Sequence, residues 1–292
     1  MSIQLKELLK VGENRLKNAG VEDAKIDAEQ LLMHVLHYDK KKIFMNWSKP
    51  LEEDDCMDYF DILDRRSAGE PSQYIIGEQE FMGIPFIVDS RVLIPRQDTE
   101  ILVEKVHAYA VSKRKPLKLL DLCTGSGAIA VSLAVKNPSL KISASDISEE
   151  ALDVATSNAA STDVLKKINF IKSDLFDNFK TGLGKPKFDI IVSNPPYIKH
   201  SVLQTLQREI YEHEPMIALD GGEDGLTYYR RIIKDAPDFM KNDSSLFLEI
   251  GYDQAEAVVK LINDGGRYRE DIEVIQDLPG QDRIIVAGSK GK

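Results

Sequence analysis

Apolar residues recur at helical spacing through the first part of the chain: Leu5, Leu8, Leu9, Val11 and Leu16, then Ala28, Leu31, Leu32, Val35 and Leu36, with charges between them. That period predicts helices and no strands over residues 1 to about 70. A third helical stretch is expected from about Glu52 to Arg66, with Met57, Phe60, Ile62 and Leu63 apolar, and Gly69-Glu70-Pro71 ends it. From Tyr74 to Val88 the runs shorten and alternate around Gly83, which predicts a hairpin. Asp98-Thr99 is placed to cap a helix reaching about Val111. Beyond Pro116 short apolar strands alternate with helices. Strands are expected at 117–122, 141–145, 168–172, 188–193 and 245–250, with helices from Ser126, Ser148, Thr227 and Asp253. Two closing strands, at 268–276 and 283–287, are joined by a Leu278-Pro279-Gly280 turn and read as an antiparallel hairpin. This alternation predicts an α/β fold with a doubly wound, Rossmann-like parallel sheet. The expected division is a helical domain over 1–70, a hairpin linker over 71–92 and an α/β domain over 93–292.

Length and composition agree with two domains. The chain has 292 residues, 42% of them hydrophobic, enough to bury a sizeable core without covalent staples. Its two cysteines, Cys56 and Cys123, form no disulfide framework and match no zinc or redox spacing, which points to a reducing, cytoplasmic setting. The five histidines show no ligand constellation, so no metal site is expected. The first residues begin an amphipathic pattern with no uninterrupted apolar signal region, and no stretch approaches the length of a membrane span. A net charge of −10 disfavours stable nucleic-acid binding, which draws on Lys and Arg to neutralise phosphates. Lys40-Lys41-Lys42 and Lys113-Arg114-Lys115 read as solvated surface.

The first α/β strand runs into a turn of small residues, Asp121-Leu122-Cys123-Thr124-Gly125-Ser126-Gly127. In open α/β sheets such a turn lies where ligands bind, outside the carboxyl ends of the strands. Asp146 ends the next strand, and its carboxylate can accept from both hydroxyls of a ribose, so the pair indicates a nucleoside-containing cofactor. Gly125-x-Gly127-x-x-Ala130 also satisfies the loose dinucleotide fingerprint, which keeps a nicotinamide oxidoreductase in play. Asp121 before the loop and Asp174-Leu175 after the third strand favour S-adenosyl-L-methionine instead. Asp121 would lie near the amino-acid end, Asp174 at the adenine amino group and Leu175 on the adenine face. Bracing of the loop competes as a role for Asp121, and helix capping for Asp174. Cys123 reads as a small packed residue, since no histidine is placed to activate it.

Asn194-Pro195-Pro196-Tyr197 follows a strand-like run and cannot extend it, because two prolines fix φ and remove two N–H donors. What remains offers acceptors, suited to a planar NH2 group. An amide nitrogen is a poor nucleophile, so methylating it requires orientation. Asn194 Oδ1 and the Pro195 carbonyl could accept its two N–H bonds and stabilise the charge that develops on nitrogen. Pro196 and Tyr197 would complete the substrate site, Tyr197 by stacking or hydrogen bonding. An ordinary loop turn is the competing reading.

The chain closely resembles the HemK/PrmC-type glutamine methyltransferases that modify peptide chain release factors. The match covers nearly all of residues 60 to 288. It includes Arg65-Arg66, Gly69-Glu70-Pro71, Tyr74, the Ile94-Pro95-Arg96-Gln97-Asp98-Thr99-Glu100 segment, the glycine loop, Asp146, Asn158-Ala159, the tetrapeptide, Glu214-Pro215, Ala218-Leu219, Gly225-Leu226, Gly280 and Arg283. The resemblance implies a class I S-adenosylmethionine-dependent methyltransferase with an N-terminal domain that docks the protein substrate. Its acceptor would be the glutamine amide of the Gly-Gly-Gln loop in class-1 release factors. Asn194 to Tyr197 would grip that amide, and Cys123 to Gly127, Asp146, Asp174-Leu175 and Asn194 as well would bind the cofactor. Cys123 stands where many relatives have glycine, Leu175 where some have tryptophan, and Glu249-Ile250-Gly251 lacks a histidine found in some. Arg96 and Glu100 receive no individual roles. A glutamine methyltransferase for a ribosomal protein, an adenine amino methyltransferase on nucleic acid and a non-catalytic cofactor-binding protein remain as alternatives.

Overall fold

In the computed structural model, which describes residues 3–180 and 185–291, the chain divides into two compact units. Met1, Ser2, residues 181–184 and Lys292, included in the expected domains, lie outside the described residues. The first unit comprises Met1–Glu78 together with Leu206–His213, a segment that no local pattern assigned to it. Its helices are Leu5–Asn18, Ala24–Leu36, Lys40–Met45, Glu53–Ser67, Ser72–Ile76 and Arg208–His213. Leu5, Leu8, Leu16, Leu31, Leu32, Leu63 and Ile75 share one core, whereas Val11 and Met57, apolar in the pattern, are exposed. Because Ile75 is buried there, the helical unit extends past residue 70, beyond the boundary expected from Gly69-Glu70-Pro71. Tyr59 lies across the core and donates to the Ala28 carbonyl at 2.9 Å. Arg66 and Asp27 form a buried ion pair at 2.6 Å, completed by Ser72 on Asp27 and by Glu209 on Arg66. Removing one member would leave a buried charge unpaired.

The second unit, Gln79–Thr205 and Glu214–Lys292, is the α/β domain. Strands β1 (Glu78–Phe81) and β2 (Ile84–Ile87) form the expected hairpin. The main sheet consists of β3 (Lys118–Leu122), β4 (Lys141–Asp146), β5 (Ile168–Lys172), β6 (Phe188–Ser193), β7 (Met240–Glu249), β8 (Glu273–Gln276) and β9 (Asp282–Gly288). The order is β5-β4-β3-β6-β7-β9-β8, with β9 antiparallel to both neighbours and the other pairings parallel. Every residue of β6 is buried, as a central parallel strand requires. From β3 the chain winds outward to β4 and β5, then returns to β6 on the other side. The crevice at this reversal opens at the carboxyl ends of β3 and β6. Leu122 pairs in register with both Ser145 and Ser193, so the glycine loop, Asp146 and the tetrapeptide all leave the sheet at one level.

Several boundaries differ from the pattern. The helix expected over 227–240 stops at Asp235 and tightens into a short turn containing Pro237, and β7 begins at Met240. Tyr268 forms only an isolated bridge to Ser289, so β8 is shorter than the 268–276 run. The helix beginning at Gln97 is capped by Arg96 with no side-chain hydrogen bond, against the expected cap at Asp98-Thr99. Both side chains have other partners: Asp98 pairs with Arg283 at 3.2 Å, and Asn194 donates to the Thr99 hydroxyl.

Candidate active site

The loop after β3 folds because its residues tolerate left-handed backbone. Cys123, Gly125 and Gly127 have φ of 58°, 54° and 80°. A Cβ on Gly127 would stand 3.0 Å from Ala155 Cβ, so glycine also lets the loop sit close on the neighbouring helix. Cys123 adopts the conformation that glycine would take more cheaply, and burial pushes its thiol well up, which suits a packed neutral group and not a nucleophile. Asp121 is completely buried beneath the loop. Thr124 donates to its Oδ2 at 2.6 Å, while Oδ1 has no hydrogen-bond partner. Burial raises its carboxyl to about 7, opposed by the Thr124 bond.

Asp146, at the end of β4, accepts from Gly125 N at 2.9 Å through Oδ2 and from Ser148 N at 3.0 Å through Oδ1. It therefore shapes the loop as well as facing the crevice. Ser148 caps the following helix through Ala151 N. Asp174 follows β5 and forms a 2.9 Å ion pair with Arg231, an engagement that neither the adenine role nor helix capping anticipated. Leu175 is buried with φ of 48°.

These groups line one cleft of about 950 Å³, open at its mouth. Cys123, Thr124, Gly125, Ser126, Asp146, Asp174, Leu175, Asn194 and Pro196 form its walls. Asp121, Gly127, Pro195 and Tyr197 are not among the residues that line it. The expected wall role of Tyr197 is not what the geometry shows. Its ring packs on the sheet's core, burial pushes its hydroxyl up to about 12, and its carbonyl accepts from Gln254 Nε2 at 2.9 Å. Tyr197 thereby anchors the tetrapeptide from behind.

Asn194 faces the cleft with its NH2 turned inward. Nδ2 donates to Thr99 Oγ1 at 3.2 Å, and the buried Glu249 carboxyl lies beside both side chains, which hold its pKa down against burial. Among the described residues no donor is paired with Oδ1. Arg96 lines the cleft and pairs with buried Glu214, while Glu100 holds the β1–β2 hairpin through Met82 N at 2.5 Å. Thr99, Ile217, Ala218 and Tyr228 also line the cleft. Their segments, except that of Tyr228, carry the resemblance noted above, but helical periodicity gives no sign of their function. Among the described residues no cluster of three His, Cys, Asp or Glu is placed to hold a metal ion, and no helix is long and apolar enough to cross a membrane.

Comparison with known proteins places this geometry. Residues 7–77 match the PrmC N-terminal domain, and residues 97–223 the methyltransferase small domain. The release factor glutamine methyltransferase of Clostridium botulinum is 37% identical over 283 residues, covering 97% of this chain and 98% of its own length. The bifunctional methyltransferase of Rickettsia bellii is 36% identical over 310 residues, covering 98% of this chain. This chain spans only 55% of that protein, about half the length of such two-function relatives. A solved protein-(glutamine-N5) methyltransferase (release factor-specific) from Alicyclobacillus acidocaldarius is 28% identical, covering 70% of this chain and 99% of that one, with a TM-score of 0.42.

The fold is that of a class I S-adenosylmethionine-dependent methyltransferase with an N-terminal helical region, and the methyl donor is S-adenosyl-L-methionine. The site's own chemistry suits that donor. A buried carboxylate oxygen without a partner is ready for an ammonium group, Gly125 leaves open space beside the loop backbone, and Asp146 retains lone pairs for ribose hydroxyls. With 37% identity across 97% of its length to a release factor glutamine methyltransferase, the chain belongs to that family.

Proposed function

We propose that this protein methylates the side-chain amide nitrogen of the glutamine in the Gly-Gly-Gln loop of class-1 peptide chain release factors, and that it acts in the cytoplasm. The observation that carries this reading is the orientation of Asn194 in the cleft, with its NH2 held by protein and its Oδ1 unclaimed. Relatives named release factor glutamine methyltransferase, matched over 91–98% of their own length, support it.

Bound S-adenosyl-L-methionine supplies an electrophilic sulfonium methyl. Asp146 holds the ribose, the Cys123–Gly127 loop the backbone-facing part, and Asp121 the amino group. Asp174 and Leu175 bound the adenine. At the other end, Asn194 Oδ1 and the Pro195 carbonyl accept the two N–H bonds of the substrate amide. They would aim the nitrogen lone pair at the methyl group and stabilise the positive charge developing on nitrogen. Pro196 walls the pocket. Tyr197 fixes the loop from behind. Alignment of nucleophile and methyl can contribute ~7–11 kcal/mol in favourable cases.

The test is transfer of label from methyl-labelled S-adenosyl-L-methionine to a purified release factor, a ribosomal protein and DNA. Label is expected on the release factor alone, and it should disappear when its Gly-Gly-Gln glutamine is replaced. Label that survives the replacement would refute the assignment.

A further inference from the structure

An asparagine grips an N–H only if its amide is the right way round. Its oxygen and NH2 are nearly the same size, and a position at the end of a strand does not choose between them. Here the choice is made by side chains of neighbouring elements. Ser193 pairs in register with Leu248, so Asn194 and Glu249 leave the sheet side by side at the ends of β6 and β7. Thr99, in the first turn of the helix Gln97–Ser112, accepts from Asn194 Nδ2 at 3.2 Å and lies beside Glu249. Glu249 is 1% exposed, forms no part of the cleft wall and keeps Oε2 without a hydrogen-bond partner. An ionised carboxylate accepts and never donates, so it can pair with the Asn194 NH2 and not with its oxygen. A Thr99 hydroxyl that donates to Glu249 is left to accept from Nδ2. The two contacts enforce the same orientation.

We propose that Glu249, acting directly on the Asn194 NH2 and through Thr99, is a positioning residue that locks Asn194 with Oδ1 toward the substrate amide. The inference rests on the amide-acceptor reading above. The charge state of Glu249 then sets the lock, because a protonated carboxyl can donate and permits the flipped amide. Burial raises this carboxyl to about 7, with Thr99, Arg283 and Asn194 opposing and Asp98 adding to the rise. The other groups facing it are Tyr197 and Tyr229, and Arg283 is itself held by Asp277 at 3.0 Å. The lock is expected to close as pH rises through neutrality.

The experiment reads the Asn194 side-chain NH2 by nuclear magnetic resonance in the full-length protein, assigned by its loss in Asn194→Ala, alongside steady-state kinetics. In the wild type the NH2 pair should titrate near neutral pH, and Glu249→Gln should abolish that titration. The same variant should lower kcat on the order of 10-fold, below the roughly 100-fold cost of a 1 Å misplacement, and leave KM for S-adenosyl-L-methionine unchanged. Thr99→Ser should behave as wild type and Thr99→Val as Glu249→Gln, a pair that decides the matter even if Glu249→Gln does not fold. An NH2 pair indifferent to pH in the wild type, or equal kcat for the two Thr99 variants, overturns the lock. If the wild type labels no release factor, the substrate assignment fails, and the resonance titration still judges the lock.

Discussion

The two ends of the cleft are built by different means. The cofactor end is assembled from short stretches that immediately follow β3, β4 and β5, and its contacts run largely through backbone: Asp146 to Gly125 N and Ser148 N, and Gly127 against Ala155. At the acceptor end one side chain, Asn194, is held by Thr99, 95 residues earlier in the chain, with buried Glu249 beside it at the end of the neighbouring strand. Local backbone geometry suits a ligand shared by many enzymes. Long-range side-chain contacts suit selection of one acceptor. The comparison implies that damage at the first end should appear as lost cofactor affinity, and damage at the second as lost turnover.

The largest effect that could break this division is Asn194→Ala. It should lower kcat by about 10³-fold, the upper range for removing one preorganised transition-state contact, while calorimetry shows nearly wild-type binding of S-adenosyl-L-methionine. Comparable losses of affinity and turnover would mean that the two ends are not separable. Next in size is Asp146→Ala. Losing two charge-assisted bonds at roughly 1.5 kcal/mol or more each should weaken cofactor binding about 100-fold. With saturating cofactor, kcat should largely recover; a kcat that stays low would place Asp146 in the chemistry.

The same division explains what could be read without a structure. The glycine loop, Asp146 and the tetrapeptide announce themselves because each is punctuated by residues with unusual backbone demands, and the strand ends that carry them follow from the β-α alternation. Thr99 was legible only as a helix cap, since Ser, Thr and Asp before a helical run ordinarily serve that way. Its hydroxyl is taken instead by a partner on a strand distant in sequence. Glu249 stands out only within a segment that resembles the family's, because a carboxylate ending an apolar strand looks the same whether it meets solvent or lies buried beside Asn194. The return of Leu206–His213 to the helical unit was hidden likewise: Arg66 and Glu209 are 143 residues apart. Tyr197 was assigned to the pocket by adjacency to Asn194, but two prolines turn the chain and send its ring to the core.

A smaller effect separates the ends by pH. Burial raises Asp121 from 3.8 to about 7, so the folded state holds a proton that the unfolded chain releases. Stability of the cofactor-free protein is therefore greatest below about pH 4 for this group and is lost as pH rises toward 7. Asp146 and Glu249 are raised by burial as well and add to the same slope. Asp121→Asn should flatten part of the fall in melting temperature between pH 5 and 8. It should also remove the rise in cofactor affinity across that window, because only the ionised carboxylate attracts an ammonium. A slope unchanged in the variant would exclude Asp121 as the titrating group.

The smallest expected effect tests how far the cofactor end extends. Asp174 and Arg231 are each 40% exposed and paired at 2.9 Å. An exposed pair of this kind is worth ~0.2–1 kcal/mol, so Asp174→Ala should shift the melting temperature little. If Asp174 serves only that pair, Arg231→Ala should do the same, and both variants should bind S-adenosyl-L-methionine within about 3-fold of wild type. If its free oxygen also receives the adenine amino group, the two variants part company. Asp174→Ala then weakens the cofactor several-fold, whereas Arg231→Ala leaves the carboxylate in place and lowers affinity less. Competition by an analogue lacking the amino group decides the matter: it should bind the wild type and Asp174→Ala alike, since nothing remains for the carboxylate to hold.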